Sequence, residues 1–184
     1  MLSYQASLLA HYRAHWQAQP TLLRSARPSV QHVPATFHVL EFAPSAHRAM
    51  WTYATCGMSS WHVDQPLELH LFSANQAREL VDLLTAVAHY HQTAHALGLG
   101  HTVNFGVPWQ PGSLCSYGLL SLPYLDGPTL ETLHVAQRQV SCYWVVPITQ
   151  AERDFKRAAG LEALEELFDQ PPLDYLAPLR PSVV

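Results

Sequence analysis

Twelve histidines and three cysteines are the residues of this 184-residue chain with the most chemical potential. The densest histidine group is His89, His91 and His95, with His101 just beyond. His91 and His95 stand at i,i+4, which on a helix places two imidazoles on one face, as a two-ligand metal site requires. No glutamate lies between them in HExxH order, no cysteine is close in sequence, and His91 falls on the apolar stripe of its own segment. The expectation is therefore a partly buried, hydrogen-bonded pair. A metal-binding protein or metal-dependent enzyme built on His89, His91 and His95 is the alternative. Cys56, Cys115 and Cys142 each sit in or beside a strand-like run, where cysteine acts as a small buried hydrophobe. Nothing adjacent would lower a thiol pKa, and three scattered cysteines make no disulfide framework.

Other catalytic signatures are missing from the sequence. GxSxG, GxGxxG and GxxxxGK[ST] do not occur. The carboxylate pairs Glu165–Glu166 and Asp64/Glu68 read as solvated charges on the outer side of a helix and at the start of a strand. The expectation is a non-enzyme with no catalytic residue, no metal and no cofactor.

The elements that would position these residues follow from periodicity. Tyr4, Leu8, Tyr12 and Trp16 recur every four residues and predict a helix over 3–18, ended by Pro20. The stretch TLLRSARPSVQHVPA has no period and reads as a connection. Strands are predicted at 37–42, at 50–56 with Gly57 as the breaker, and at 67–71. The last alternates, so one face is expected in the core and the other to carry Glu68 and His70. Leu80, Leu84, Val87 and His91 mark the longest helix, over 75–96, with Ser73 and Gln76 as a capping box. Short strands are predicted at 103–105 and 117–122. The nearly continuous apolar run 140–146 reads as a central strand. Thr149 and Glu152 form a second capping box, opening a helix that Gly160 interrupts before Leu161, Leu164 and Phe168 begin another. Helix, three strands, long helix, three strands, helices describes an α+β or mixed α/β sheet with helices packed on it.

Composition narrows the partners. Charged residues are 13% of the chain against a usual ~25%, so the surface must carry histidine, glutamine, serine, proline and aromatic tips. Residues 1–48 hold Arg13, Arg24, Arg27 and Arg48 against Glu41, whereas 49–137 hold Arg78 against Asp64, Glu68, Glu79, Asp82, Asp126 and Glu131. An acidic middle with no basic stripe disfavours nucleic acid and suits a basic protein partner. No apolar run approaches the ~20 residues that span a bilayer, and the N-terminus lacks a signal-peptide layout, so a cytoplasmic location is expected.

Five segments in order resemble the suppressor of fused domain family. They are Trp51-Thr52-Tyr53-Ala54-Thr55-Cys56-Gly57-Met58-Ser59; Pro66-Leu67-Glu68-Leu69-His70-Leu71; helix 77–97 running into Leu99-Gly100-His101-Thr102 with Pro108-Trp109 behind; Tyr143 to Glu152 through Pro147 and Thr149; and Leu179-Arg180-Pro181-Ser182. The resemblance covers about residues 37–182 and implies a twisted, mostly antiparallel sheet flanked by helices. It also implies protein binding. Animal members grip an extended segment of a transcription factor, and bacterial single-domain members are associated with toxin systems as immunity proteins.

Two departures limit the carry-over. Animal members have a second domain, and their loop near the peptide-binding region is longer than Ser60 to Pro66 here, so the animal partner is not expected. The chain divides into a helix and connection over 1–35 and a suppressor-of-fused-like body over 36–184, as one compact unit. The signature residues Thr55, Gly57, Met58, Ser59, Gly100, His101, Pro147, Thr149, Glu152 and Arg180 are read as structural. Trp61, His62, Asp64 and Trp109, on predicted loops, are the candidate contacts to a partner.

Overall fold

The computed structural model describes residues 3–26, 33–58, 66–135, 137–170 and 172–184. In chain order the elements are α1 (Tyr4–Trp16), β1 (Thr21–Leu23), β2 (His38–Phe42), β3 (Trp51–Cys56), β4 (Leu67–Ser73), α2 (Glu79–Thr93), β5 (Thr102–Asn104), β6 (Cys115–Ser121), α3 (Pro128–Glu131), β7 (Thr132–Val135), β8 (Arg138–Thr149), α4 (Gln150–Ala159) and α5 (Leu161–Phe168). The strands form one sheet in the order β1-β2-β3-β4-β8-β6-β5. Among the described residues only the β4–β8 pairing is parallel. Ser141 pairs with Leu67 on one side and Thr132 on the other, so β7 lies on the β6 flank of the long central strand.

Each face of the sheet is covered by a helix that the sequence pattern forces. Leu80, Val81, Leu84, Val87, Ala88 and His91 form the buried side of α2, packed on Val39, Tyr53, Leu69, Leu71 and Val145. On the opposite face α1 starts at Ser3, whose hydroxyl accepts from the Ala6 N–H, and ends where Gln17 turns left-handed at φ 49°. Its Leu8, Tyr12 and Trp16 pack on Leu40, Phe42, Ala54, Cys56 and Cys142. A third cluster joins Phe72, Leu119, Trp144, Val146 and Ile148 to Leu164 of α5 and the tail residues Leu173 and Tyr175.

Several expectations change at this level. Glu68 and His70 are not solvent-facing: both are fully buried, as is all of β4, because α1 closes the second face of the sheet. Ser73 and Gln76 do not cap α2. Ser73 ends β4, accepting from the Asn75 N–H, and the Gln76 amide instead donates to Glu41. The supposed connection contains β1, and the β7–β8 hairpin and short α3 went unread. The Thr149/Glu152 capping box forms with both of its bonds.

Candidate partner-binding site

The groups with chemical potential are engaged inside the protein. The Glu68 carboxylate accepts from Tyr4 (2.6 Å), from Thr55 Oγ1 (2.5 Å) and from the Gly57 N–H (3.1 Å), tying α1 to β3 and β4. Gly57 has φ +109°, and an added Cβ would lie 3.2 Å from the Thr36 carbonyl, so the signature glycine is demanded by backbone geometry. Met58 beside it is buried in the α2-side core. Cys56, Cys115 and Cys142 are all buried. Burial first, and Glu68 second, push the Cys56 and Cys142 thiols up to about 12, which removes thiolate character.

The C-terminal signature is a clasp. Arg180 reaches Glu152 Oε1 at 2.6 Å and Oε2 at 2.8 Å and donates to the Pro147 carbonyl at 2.8 Å. Glu152 also accepts from the N–H groups of Thr149 and Val183, while the Thr149 and Ser182 hydroxyls lie 3.0 Å apart. Burial alone would raise the Glu152 pKa. Its bonds to Arg180, Thr149 and Val183 outweigh that and hold the carboxyl below its ordinary value. Gly100 donates to the Leu120 carbonyl, and its own carbonyl receives the Lys156 ammonium. The His101 carbonyl accepts from the Leu120 N–H.

The histidines do not converge. His91 is buried, and its Nδ1 accepts from the Leu97 N–H at 2.8 Å, closing the end of α2. His95 is exposed and stacks edge-on against Tyr90, so the expected His91–His95 pair does not form. Among the described residues no group of three His, Cys, Asp or Glu side chains is arranged to hold a metal ion. A second ionisable group lies under α1: Asp126 binds Arg48 through both oxygens (2.5 and 3.0 Å) and accepts from Trp16 Nε1 at 3.0 Å, with the buried His70 ring 3.9 Å away.

Open concavities lie elsewhere, and two of those among the described residues are large and mainly apolar. One, of about 680 Å³, runs between α2 and the segment after β5, walled by Leu83, Val87, Tyr90, Phe105, Val107 and Trp109. Trp109 itself is buried, its Nε1 donating to Ser113 at 3.0 Å, so the ring builds the wall from behind. The other, of about 550 Å³, lies between α5, the tail and the turn after β6. Trp144, Val146, Phe168, Leu173 and Tyr175 form its apolar floor, Tyr124 and Leu125 its mouth, and Glu162, Glu165, Glu166 and Asp169 its rim. Ser59, Trp61, His62 and Asp64 lie outside the described residues.

Sequence reading passed over the acidic groove because Glu165–Glu166 looked like ordinary solvated charge. The signal was present. Glu162, Glu165, Glu166 and Asp169 recur at i, i+3, i+4 and i+7, one helix face that is entirely acidic. The acidic excess expected of 49–137 is meanwhile partly internal, since Glu68 and Asp126 are both consumed in the interior.

The fold built on this sheet order is shared with known proteins. The chain belongs to the suppressor of fused family, whose model, described as suppressor of fused protein, matches residues 34–181. A suppressor of fused homologue from Neisseria gonorrhoeae superposes with a TM-score of 0.84 at 28% identity, covering 98% of this chain and 97% of that one. The solved Sufu–Fu complex contains a chain matched at TM-score 0.71 and 14% identity, over 98% of this chain and 92% of that one. Drosophila suppressor of fused matches at 0.67 and 15% over 96% of this chain, which spans half of the fly protein's length. No curated protein matches the sequence. No helix among the described residues is long and apolar enough to cross a membrane.

Proposed function

We propose that this chain is a non-catalytic protein-binding module, and specifically an immunity-type protein of the cytoplasm that binds and masks a toxin partner. The observation that carries this reading is where the polar chemistry sits. Glu68, Glu152, Arg180, Cys56, Cys142 and His91 are held in internal structural bonds or buried contacts, while the two open concavities are lined mainly by aliphatic and aromatic side chains, with carboxylates at the rim of the second. Such walls suit the desolvated centre of an interface, which for a standard complex covers roughly 800 Å² on each partner. Family membership supports the binding half of the reading, and the Sufu–Fu complex is a case of a similar fold in a complex. The toxin half follows from what the sequence resemblance implies for bacterial single-domain members; the Neisseria gonorrhoeae homologue of equal extent supports the single-domain fold.

Co-expression with the product of the neighbouring gene tests it. The expected result is a stoichiometric complex that survives size-exclusion chromatography and restores growth of cells poisoned by the neighbour. A neighbour that is harmless, and that shows no heat of binding at about ten micromolar, would refute the immunity reading.

A further inference from the structure

The acidic groove combines three features that select one kind of occupant. The first is uncompensated charge. Its lining contains Glu162, Glu165, Glu166 and Asp169 and no lysine, arginine or histidine. Among the described residues none of the four forms an ion pair. Four basic side chains are committed elsewhere: Arg180 to Glu152, Arg48 to Asp126, Arg153 to Asp154 with its guanidinium over the Tyr117 ring, and Lys156 to the Gly100 carbonyl. The exposed Arg157 at the end of α4 does not line the groove. One rim carboxylate is fixed in place, with Glu165 accepting from Ser121 Oγ at 2.9 Å.

The second feature is a rigid aromatic floor. Trp144 and Tyr175 meet nearly at a right angle, 88°, with centroids 5.3 Å apart, and Phe72 backs both. Trp144 is buried and closes the floor from behind, while the partly exposed Tyr175 ring, so braced, can meet a flat cation at little entropic cost. The third is size and mouth. About 550 Å³ exceeds what one side chain fills, and Tyr124 and Leu125 stand 59% and 46% exposed at the entrance.

We infer that this groove receives an arginine-bearing segment of the protein partner, with the guanidinium between the rim carboxylates and the aromatic floor and a flanking apolar residue against Tyr124 and Leu125. Arginine fits better than lysine because its planar fork stacks on rings and binds carboxylates two-pronged, whereas an ammonium is a strongly hydrated point charge. The inference rests on the protein-binding reading above and names the surface and the partner's chemistry.

The probe is a short fluorescein-labelled peptide of alternating arginine, leucine and glycine, followed by fluorescence anisotropy at about 0.15 M salt. A glutamine-for-arginine peptide and spermine serve as comparisons. The triple variant E162Q/E166Q/D169N changes exposed, isosteric side chains and leaves Glu165 in its bond to Ser121. It is expected to keep the native melting temperature and to bind the arginine peptide at least about tenfold more weakly. Tyr124→Ala should weaken binding about threefold, and the glutamine peptide should not bind. Equal affinity of native and triple variant for the arginine peptide overturns the inference. So does displacement by spermine at the peptide's own concentration, which would reveal a counter-ion surface with no preference for a segment. The same triple variant, titrated with the neighbouring gene's product, separates the two readings: an unchanged affinity removes the groove from the interface while protein binding itself stands.

Discussion

The two sides of this sheet are closed by different chemistry. Under α2 the interior is mainly aliphatic and aromatic, with Leu69, Leu71, Leu80, Leu84 and Val145 in one cluster. Its polar groups include the His91 cap, the Tyr53 hydroxyl that accepts from the Ala77 N–H, and Glu41, which accepts from Gln76. Under α1 and along the C-terminal tail, the interior holds Glu68, His70, the Arg48–Asp126 pair and the Arg180–Glu152 clasp. The first side derives most of its stability from area removed from water, a contribution indifferent to pH, although burial lowers the His91 pKa there. The second holds segments far apart in sequence by directional bonds that fail when one partner changes charge. Glu68 joins residues 64 positions apart through Tyr4, and Asp126 joins α1, the Arg48 loop and the turn after β6. The lesson is a division of labour: apolar contact supplies the bulk of the core, and buried charge fixes where the terminal segments dock.

Arg180→Met is the sharpest test of that contrast. It leaves Glu152 buried without its guanidinium, and breaking a buried pair on one side costs about 3–5 kcal/mol. The cost should depend on pH. In the native protein the Glu152 pKa is lowered on folding, so its contribution is present above the ordinary carboxylate value and is lost as pH falls through the lowered one. Without Arg180 burial dominates and the pKa rises, so protonation relieves the variant and the gap between the two proteins narrows toward acid. Urea unfolding at about pH 7.5 and about pH 4.5 measures this. An equal loss at both would mean that packing, not charge, holds the tail.

Leu84→Ala is the counterpart on the α2 side. Leu84 is fully buried among apolar neighbours, and truncation should cost about 2–5 kcal/mol through lost contact and the cavity left behind. That loss should be the same at both pH values. If it varied with pH as the Arg180→Met loss does, the two sides would not be energetically separate and the contrast would collapse.

How much of this could be read from the sequence follows the same division. The α2 side was legible because its residues obey helix and strand periods: Leu80, Leu84, Val87 and His91 repeat on one helix face, and the 140–146 run is apolar but for Ser141. The Thr149/Glu152 box was legible because a cap is local, three residues wide. Glu68 and His70 were not, since alternation in β4 has the same pattern whether the second face meets water or α1, and only tertiary structure brings Tyr4 to Glu68. β1 was hidden because a three-residue strand carries no period, and its pairing with β2 supplies what its sequence lacks. The acidic groove joins α5 to Trp144 and Tyr175 across the fold, so its carboxylate face was visible and its aromatic floor was not.

The smallest effect at neutral pH, and the one that tests the α1 side alone, belongs to His70. Its ring is fully buried against Trp16 and Phe72, and neither nitrogen has a hydrogen-bond partner among the described residues. Burial lowers its pKa to about 3. The Asp126 carboxylate opposes that shift, and Arg48 reinforces it. Below about pH 6.5 the unfolded chain takes up a proton that the folded ring refuses until about pH 3, so folding loses stability throughout that window as pH falls. One proton corresponds to at most about 1.4 kcal/mol per pH unit. His70→Leu keeps an apolar side chain of similar size between Trp16 and Phe72 and removes the titration. Its stability at pH 7.5 should match the native protein within about 1 kcal/mol, while its unfolding midpoint should decline less steeply from about pH 6 to pH 4. Parallel acid limbs for the two proteins would show that His70 already takes its proton in the folded state, held by Asp126, and would make the α1 side a charged interface where burial points to a neutral one.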